Sequence, residues 1–155
     1  MPLKKLSYQE GDWFAVPLRN GGYALGLIAR LDGEGRVLGY FFGPRREQLP
    51  TKEDIADLSA TCAILIRLFG DLGLIQGDWP IIYQSNSWYR ADWPVPGFAR
   101  IAVDERWATR VEYSEDDLSY LRELPISLEE AHSLPEDGLS GSGALEIRLT
   151  KLLST

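Results

Sequence analysis

Three apolar runs separated by two glycine turns constrain this chain more than any other feature. Trp13-Phe14-Ala15-Val16-Pro17-Leu18, Tyr23-Ala24-Leu25-Gly26-Leu27-Ile28-Ala29-Arg30 and Arg36-Val37-Leu38-Gly39-Tyr40-Phe41-Phe42 have strand length and strand composition. Asn20-Gly21-Gly22 and Asp32-Gly33-Glu34-Gly35 between them supply residues that tolerate positive φ. The pattern predicts a three-stranded meander over residues 13–42, with Tyr23, Leu25 and Leu27 on one face. Gly26 and Gly39 inside strands point to bulges or a sharp curl, and Pro17, which cannot donate to a ladder, belongs at an edge or bulge. A curved, mainly antiparallel sheet follows, an SH3-like, partly open barrel being one form of it.

Downstream signals are shorter. Thr51-Lys52-Glu53-Asp54 reads as a helix cap leading into a turn or two at residues 55–58, and residues 61–69 read as a buried strand with Cys62 packed as a small hydrophobe. Residues 70–96 read as ordered loop around one strand-like piece, Ile81-Ile82-Tyr83. Residues 106–113 alternate, with Trp107, Thr109, Val111 and Tyr113 on one face, and Leu118–Leu124 reads as a further strand. Ser127-Leu128-Glu129-Glu130 is a capping-box pattern for a brief helix ending near Pro135. A last helix over residues 143–153, capped by Ser142, places Leu145, Leu149, Leu152 and Leu153 at i, i+4, i+7 and i+8. With 155 residues and no linker or repeat, the chain is expected to form one α+β domain over 1–155.

Composition narrows function. One cysteine, Cys62, and one histidine, His132, provide neither a disulfide nor a soft-ligand zinc site. No nucleophile–base pair, Walker motif or GxGxxG is present, so no cofactor, metal or catalysis is expected. Residues 1–10 hold lysines but no apolar stretch, and no run is long enough to span a membrane, so a soluble, cytoplasmic protein is expected. The net charge of −7 is uneven: residues 1–100 carry eleven basic and eleven acidic side chains, residues 101–155 five and twelve. An acidic end repels nucleic-acid phosphates and attracts basic partners.

Two groups stand out as partner-binding candidates. Glu112, Glu115, Asp116 and Asp117 form an acidic run at a turn, although Glu129, Glu130, Glu136 and Asp137 offer a rival patch. Trp88 and Tyr89 follow the polar stretch Gln84-Ser85-Asn86-Ser87 and read either as interface anchors or as staples of a long loop; Trp79 and Trp93, each followed by proline, read as staples.

Taken in order, several segments resemble the immunity protein 26 family of bacterial polymorphic toxin systems. They are Gly11-Asp12-Trp13-Phe14-Ala15-Val16-Pro17-Leu18, Gly22-Tyr23-Ala24-Leu25-Gly26, Leu38-Gly39-Tyr40-Phe41-Phe42-Gly43, Gly77-Asp78-Trp79-Pro80, and the closing Leu134-Pro135-Glu136-Asp137-Gly138 through Glu146, Arg148 and Leu149. The resemblance implies a protein that binds and neutralises a cognate toxin, expected to be basic, by occluding its active site; it supplies no catalytic or contact residues. Two other classes compete with it. An SH3-like barrel ribonuclease is supported by the hairpin-rich N-terminal half alone, with Arg45-Arg46 the basic spot whose mutation would test it, and a carbohydrate-binding module would use Trp88 and Trp93.

Overall fold

A computed structural model describes residues 7–154, so Lys4 and Lys5 and the reading of residues 1–6 lie outside the described residues. The meander forms as expected from β1 (Asp12–Pro17), β2 (Tyr23–Leu31) and β3 (Arg36–Arg46), with Trp13 opposite Leu27 and Leu27 opposite Tyr40. The first turn is closed by Leu18 N–H donating to the Gly22 carbonyl, the second by Asp32 N–H donating to that of Arg36.

β4 (Leu65–Gly70) pairs antiparallel with β3, and β5 (Ile81–Gln84) antiparallel with β1. A two-residue β9 (Leu139–Ser140) runs parallel to β4, giving the order β5-β1-β2-β3-β4-β9. The sheet is open, with no closed barrel. Pro17 ends β1 beyond the reach of β5, whose pairing stops at Phe14. The irregularities in β2 fall between Tyr23 and Leu25, just before Gly26, and between Ile28 and Arg30, where Gly39 of β3 is the partner of Ile28, so Gly39 marks a bulge as expected. Gly26 has a packing reason instead: a Cβ there would lie 2.4 Å from the Phe14 ring.

Both faces of this sheet are covered, which is why its strands are apolar at consecutive positions. Phe14, Val16, Ile28, Phe41 and Phe69 pack on one side, beneath Trp79 and the helix α3 (Ser142–Leu152). Trp13, Leu25, Leu27, Tyr40 and Phe42 pack on the other, against Trp93, Phe98 and Leu118. Leu145 and Leu149 of α3 are fully buried, whereas Leu152 faces solvent and Gly141, not Ser142, is the N-cap. The short α1 (Leu72–Ile75) lies in the segment expected to be loop.

The second sheet is antiparallel: β6 (Phe98–Ile101), β7 (Ala108–Tyr113) and β8 (Tyr120–Ile126), followed by α2 (Leu128–His132), where the Ser127 hydroxyl accepts from Glu130 N–H as its motif predicts. Three local expectations fail. Cys62 is exposed on a 3-10 turn, because the strand starts only at Leu65. Trp107 precedes β7 and is 55% exposed, leaving Val111 as the fully buried residue of its face. Leu118 does not open a strand: it adopts φ 64° ahead of β8 with its side chain fully buried, so it plugs the acidic turn into the core.

Candidate functional site

The surface around Trp88, Tyr89 and the acidic turn is built on one buried cation. Arg30 sits in β2, surrounded by strands, and is 1% exposed. A buried guanidinium is tolerated only when its donors are matched. Here Nε donates to the Glu115 carbonyl at 2.7 Å, Nη1 to the carbonyls of Ala29 and Trp93, and Nη2 to the Arg90 carbonyl and, at 2.8 Å, to the Glu115 carboxylate. Glu115 closes the arrangement by accepting from Val95 N–H with its other oxygen. One side chain thus fastens both the 114–118 turn and the Trp-rich loop to the meander.

A second polar chain joins the same two segments nearer the surface. Trp88 Nε1 donates to Glu10 at 2.9 Å, Arg90 grips Glu10 through Nε and Nη2, and Arg90 also reaches the carboxylate and carbonyl of Asp116. Burial pushes the Glu10 carboxyl up, but the hydrogen bonds from Arg90 and Trp88 outweigh it and hold the group below the usual carboxylate range. The Trp88 ring lies between Gly11, where a Cβ would come within 2.9 Å of it, and Trp93, stacked on it at 6.4 Å and 15°. Trp88 is therefore largely a staple, and Tyr89, 64% exposed, is the aromatic side chain left facing outward.

The acidic run divides by role. Glu115 and Asp116 are committed to Arg30 and Arg90. Glu112 sits on β7 and pairs across the strands with Arg122 at 2.9 Å, a hydrogen bond that holds its carboxyl down. Asp117 is fully exposed, with hydrogen bonds from Ser119 lowering its pKa, and no ion pair involves it among the described residues. The rival acids are also divided: Glu136 pairs with Arg148 and Asp137 with Arg100, while Glu129 and Glu130 open α2. The acidic excess of the last third is thus largely interleaved with arginines rather than gathered into one patch.

Beside Trp88 and Tyr89 lies a cleft of about 530 Å³ between the 51–59 segment and the 83–93 loop. Trp13, Tyr83, Trp88, Tyr89 and Trp93 supply its rings, Ile55 and Leu58 its aliphatic wall, and Lys52 and Asp92 its charges. The Lys52 ammonium is 5.7 Å from the centre of the Tyr83 ring. Sequence reasoning found Trp88 and Tyr89 but missed Glu10, Arg30, Tyr83 and Arg90. The only signal for Arg30 was a lone charge at the end of an apolar strand; apart from the adjacent Ala29 carbonyl, its partners lie 60 to 85 residues away.

Arg46 is bound to Asp54 at 2.6 Å and Arg45 to the Gly21 carbonyl, so the basic pair is engaged internally. Trp93 is 8% exposed and stacks with Trp88, and the two rings line the cleft instead of standing as a free platform on the surface. Among the described residues, no group of three His, Cys, Asp or Glu side chains is arranged to hold a metal ion, and no helix is long and apolar enough to cross a membrane.

Comparison with known protein families gives a match over most of the chain. The family model described as Immunity protein 26 aligns with residues 9–108, which include the meander, Arg30, the cleft walls and Tyr89 but stop short of the acidic turn. No curated protein and no solved structure matches the chain. A match over this much of the sequence shows that the chain belongs to the Immunity protein 26 family.

Proposed function

We propose that the protein binds a cognate toxin of a bacterial polymorphic toxin system and neutralises it by covering its active site, acting in the cytoplasm by binding and not by catalysis. The observation that carries this reading is the family match over residues 9–108. The surface proposed to meet the toxin is formed by Tyr89 and the edge of Trp88, with Glu115, Asp116 and Asp117 across Arg90 and Glu112 farther along β7. Its physical basis is a fixed scaffold presenting one exposed aromatic side chain beside carboxylates, the combination that anchors an interface and steers a basic partner.

The division of labour found above sharpens the residue roles. Asp117 supplies steering charge outside any ion pair among the described residues, accepting from the Ser119 N–H within its own turn, while Glu115 and Asp116 tie the turn to Arg30 and Arg90 as well as charging it. The test is co-expression with the toxin domain encoded beside this chain's gene. Survival of the host and recovery of a stable one-to-one complex are expected. Unchanged killing, with no complex at micromolar concentrations, would contradict the proposal.

A further inference from the structure

Among the described residues only two arginines, Arg67 and Arg110, form no ion pair, and of these Arg67 in β4 is the buried one, 9% exposed. Arg30, the other buried arginine, shows what the fold provides for such a group elsewhere: a carboxylate at 2.8 Å. A guanidinium taken out of water without a counter-charge keeps most of its desolvation cost. Burial accordingly holds Arg67 below the usual arginine range; Glu136 is the main charge opposing that effect, and Arg148 adds to it.

The acids near Arg67 are committed to other groups. The Glu136 carboxylate lies 3.3 Å from Arg148 and is 64% exposed, and that of Asp137 is held by Arg100 and the Tyr113 hydroxyl. What Arg67 receives is neutral: Nε donates to the Ser140 hydroxyl at 2.8 Å and Nη1 to the Glu136 carbonyl at 3.0 Å. Nη2 meets no acceptor among the described residues and lies against Gly138, where a Cβ would stand 3.2 Å from it. Ser140 ties this cation to a second set of donors, since it is followed directly by Gly141, the N-cap of α3. The N–H groups of Ser142, Gly143 and Ala144 in the first turn of α3 also meet no protein acceptor among the described residues. The end of a helix that carries such groups is partially positive.

We infer that Arg67 Nη2 and the 138–143 segment bind one small oxyanion of the phosphate type. A tetrahedral oxyanion presents several oxygens to donors that come from different directions, and it brings the charge that Arg67 lacks. A free ion and a phosphate group carried on a larger molecule present the same oxygens, and the experiment separates the two. The site shares no residue with the surface proposed to meet the toxin, so its test is independent of that reading.

The full chain is titrated with inorganic phosphate, glycerol 2-phosphate and acetate, each against a chloride background of constant ionic strength. The Arg67 Nε–H resonance and the Gly138 and Gly143 amides are followed by NMR. Phosphate is expected to give saturable shifts with half-saturation on the order of 1 mM, at least about tenfold tighter than acetate. Glycerol 2-phosphate binding as tightly as phosphate would assign the site to a phosphate group on a larger molecule, and weaker binding would assign it to the free ion. Ser140→Asp supplies a carboxylate where the hydroxyl now accepts from Nε, and Arg67→Gln removes the cation; both are expected to abolish the shifts at Gly138 and Gly143. Asp117→Lys, outside the site, is expected to keep them. No saturation by about 50 mM phosphate, equal or tighter binding of acetate, or shifts that survive in folded Arg67→Gln would each overturn the inference. The titrations of the unaltered chain decide it should either variant fail to fold.

Discussion

The meander and the surface it carries are held together by different physics. In the meander, Phe14, Leu27, Val37 and Phe41 are fully buried, and neighbouring strands supply the contacts. In the Trp88–Tyr89 loop and the 114–118 turn, backbone carbonyls and carboxylates converge on Arg30 and Arg90 from segments far apart in sequence. Apolar packing tolerates exchange of shape within limits, whereas a buried guanidinium tolerates no loss of its partners. The surface should therefore be more sensitive to single polar substitutions than its exposure suggests.

The largest effect should come from the meander. Phe14→Ala removes the ring that stacks on Trp79 at 5.8 Å and packs against Gly26, and should cost about 3–5 kcal/mol in a denaturant titration. Leu149→Ala in α3 should follow at about 2–5 kcal/mol; a cost under about 0.5 kcal/mol would show that α3 is peripheral despite its burial. We also propose that both regions unfold together as one domain, because Trp13 and Phe98 share a cluster. Two separated transitions would break that proposal.

Arg30→Leu tests the polar side of the comparison. It strands four carbonyls and the Glu115 carboxylate, and about 2–4 kcal/mol of stability should be lost together with protection of the Val95 amide from hydrogen exchange. An unchanged Val95 would mean that the loop is held by its tryptophans alone.

Smaller effects separate Glu10 from Glu112. Glu10 has a lowered pKa in the fold, so the unfolded chain binds more protons in the window between the two values. Its contribution should be fully present above the ordinary carboxylate range and fade as pH falls through the lowered value. The stability gap between the wild type and Glu10→Gln should accordingly shrink in acid; a gap constant from pH 7 to pH 3 would contradict the assignment. Arg122→Ala breaks a pair whose arginine is 62% exposed and screened by solvent, and should leave the midpoint of a denaturant titration almost unchanged.

The same contrast explains what could be read from residues alone. The meander was legible because its turns and apolar runs are local signals, and Leu145 and Leu149 because helical spacing is local too. Cys62 and Trp107 were misplaced because the boundaries of β4 and β7 are set by pairing partners and not by their own composition. Trp88 and Tyr89 could be named but not told apart: that Trp88 is stacked and hydrogen-bonded while Tyr89 is free depends on Gly11, Glu10 and Trp93. Whether the acids form one patch was not legible, because sequence shows where carboxylates lie and not which arginines come to meet them.

We propose that the Tyr89 side of the molecule grips a toxin while the acidic turn draws it in. Association and dissociation rates of the cognate toxin domain, measured for the wild type, Tyr89→Ala and Asp117→Lys between about 50 and 500 mM salt, test it directly. Tyr89→Ala should raise the dissociation rate by about 30-fold, equivalent to about 2 kcal/mol, with little change in association. Asp117→Lys should slow association and flatten its salt dependence, leaving dissociation nearly unchanged. Rates unaltered by either substitution would place the toxin on another face and contradict the account.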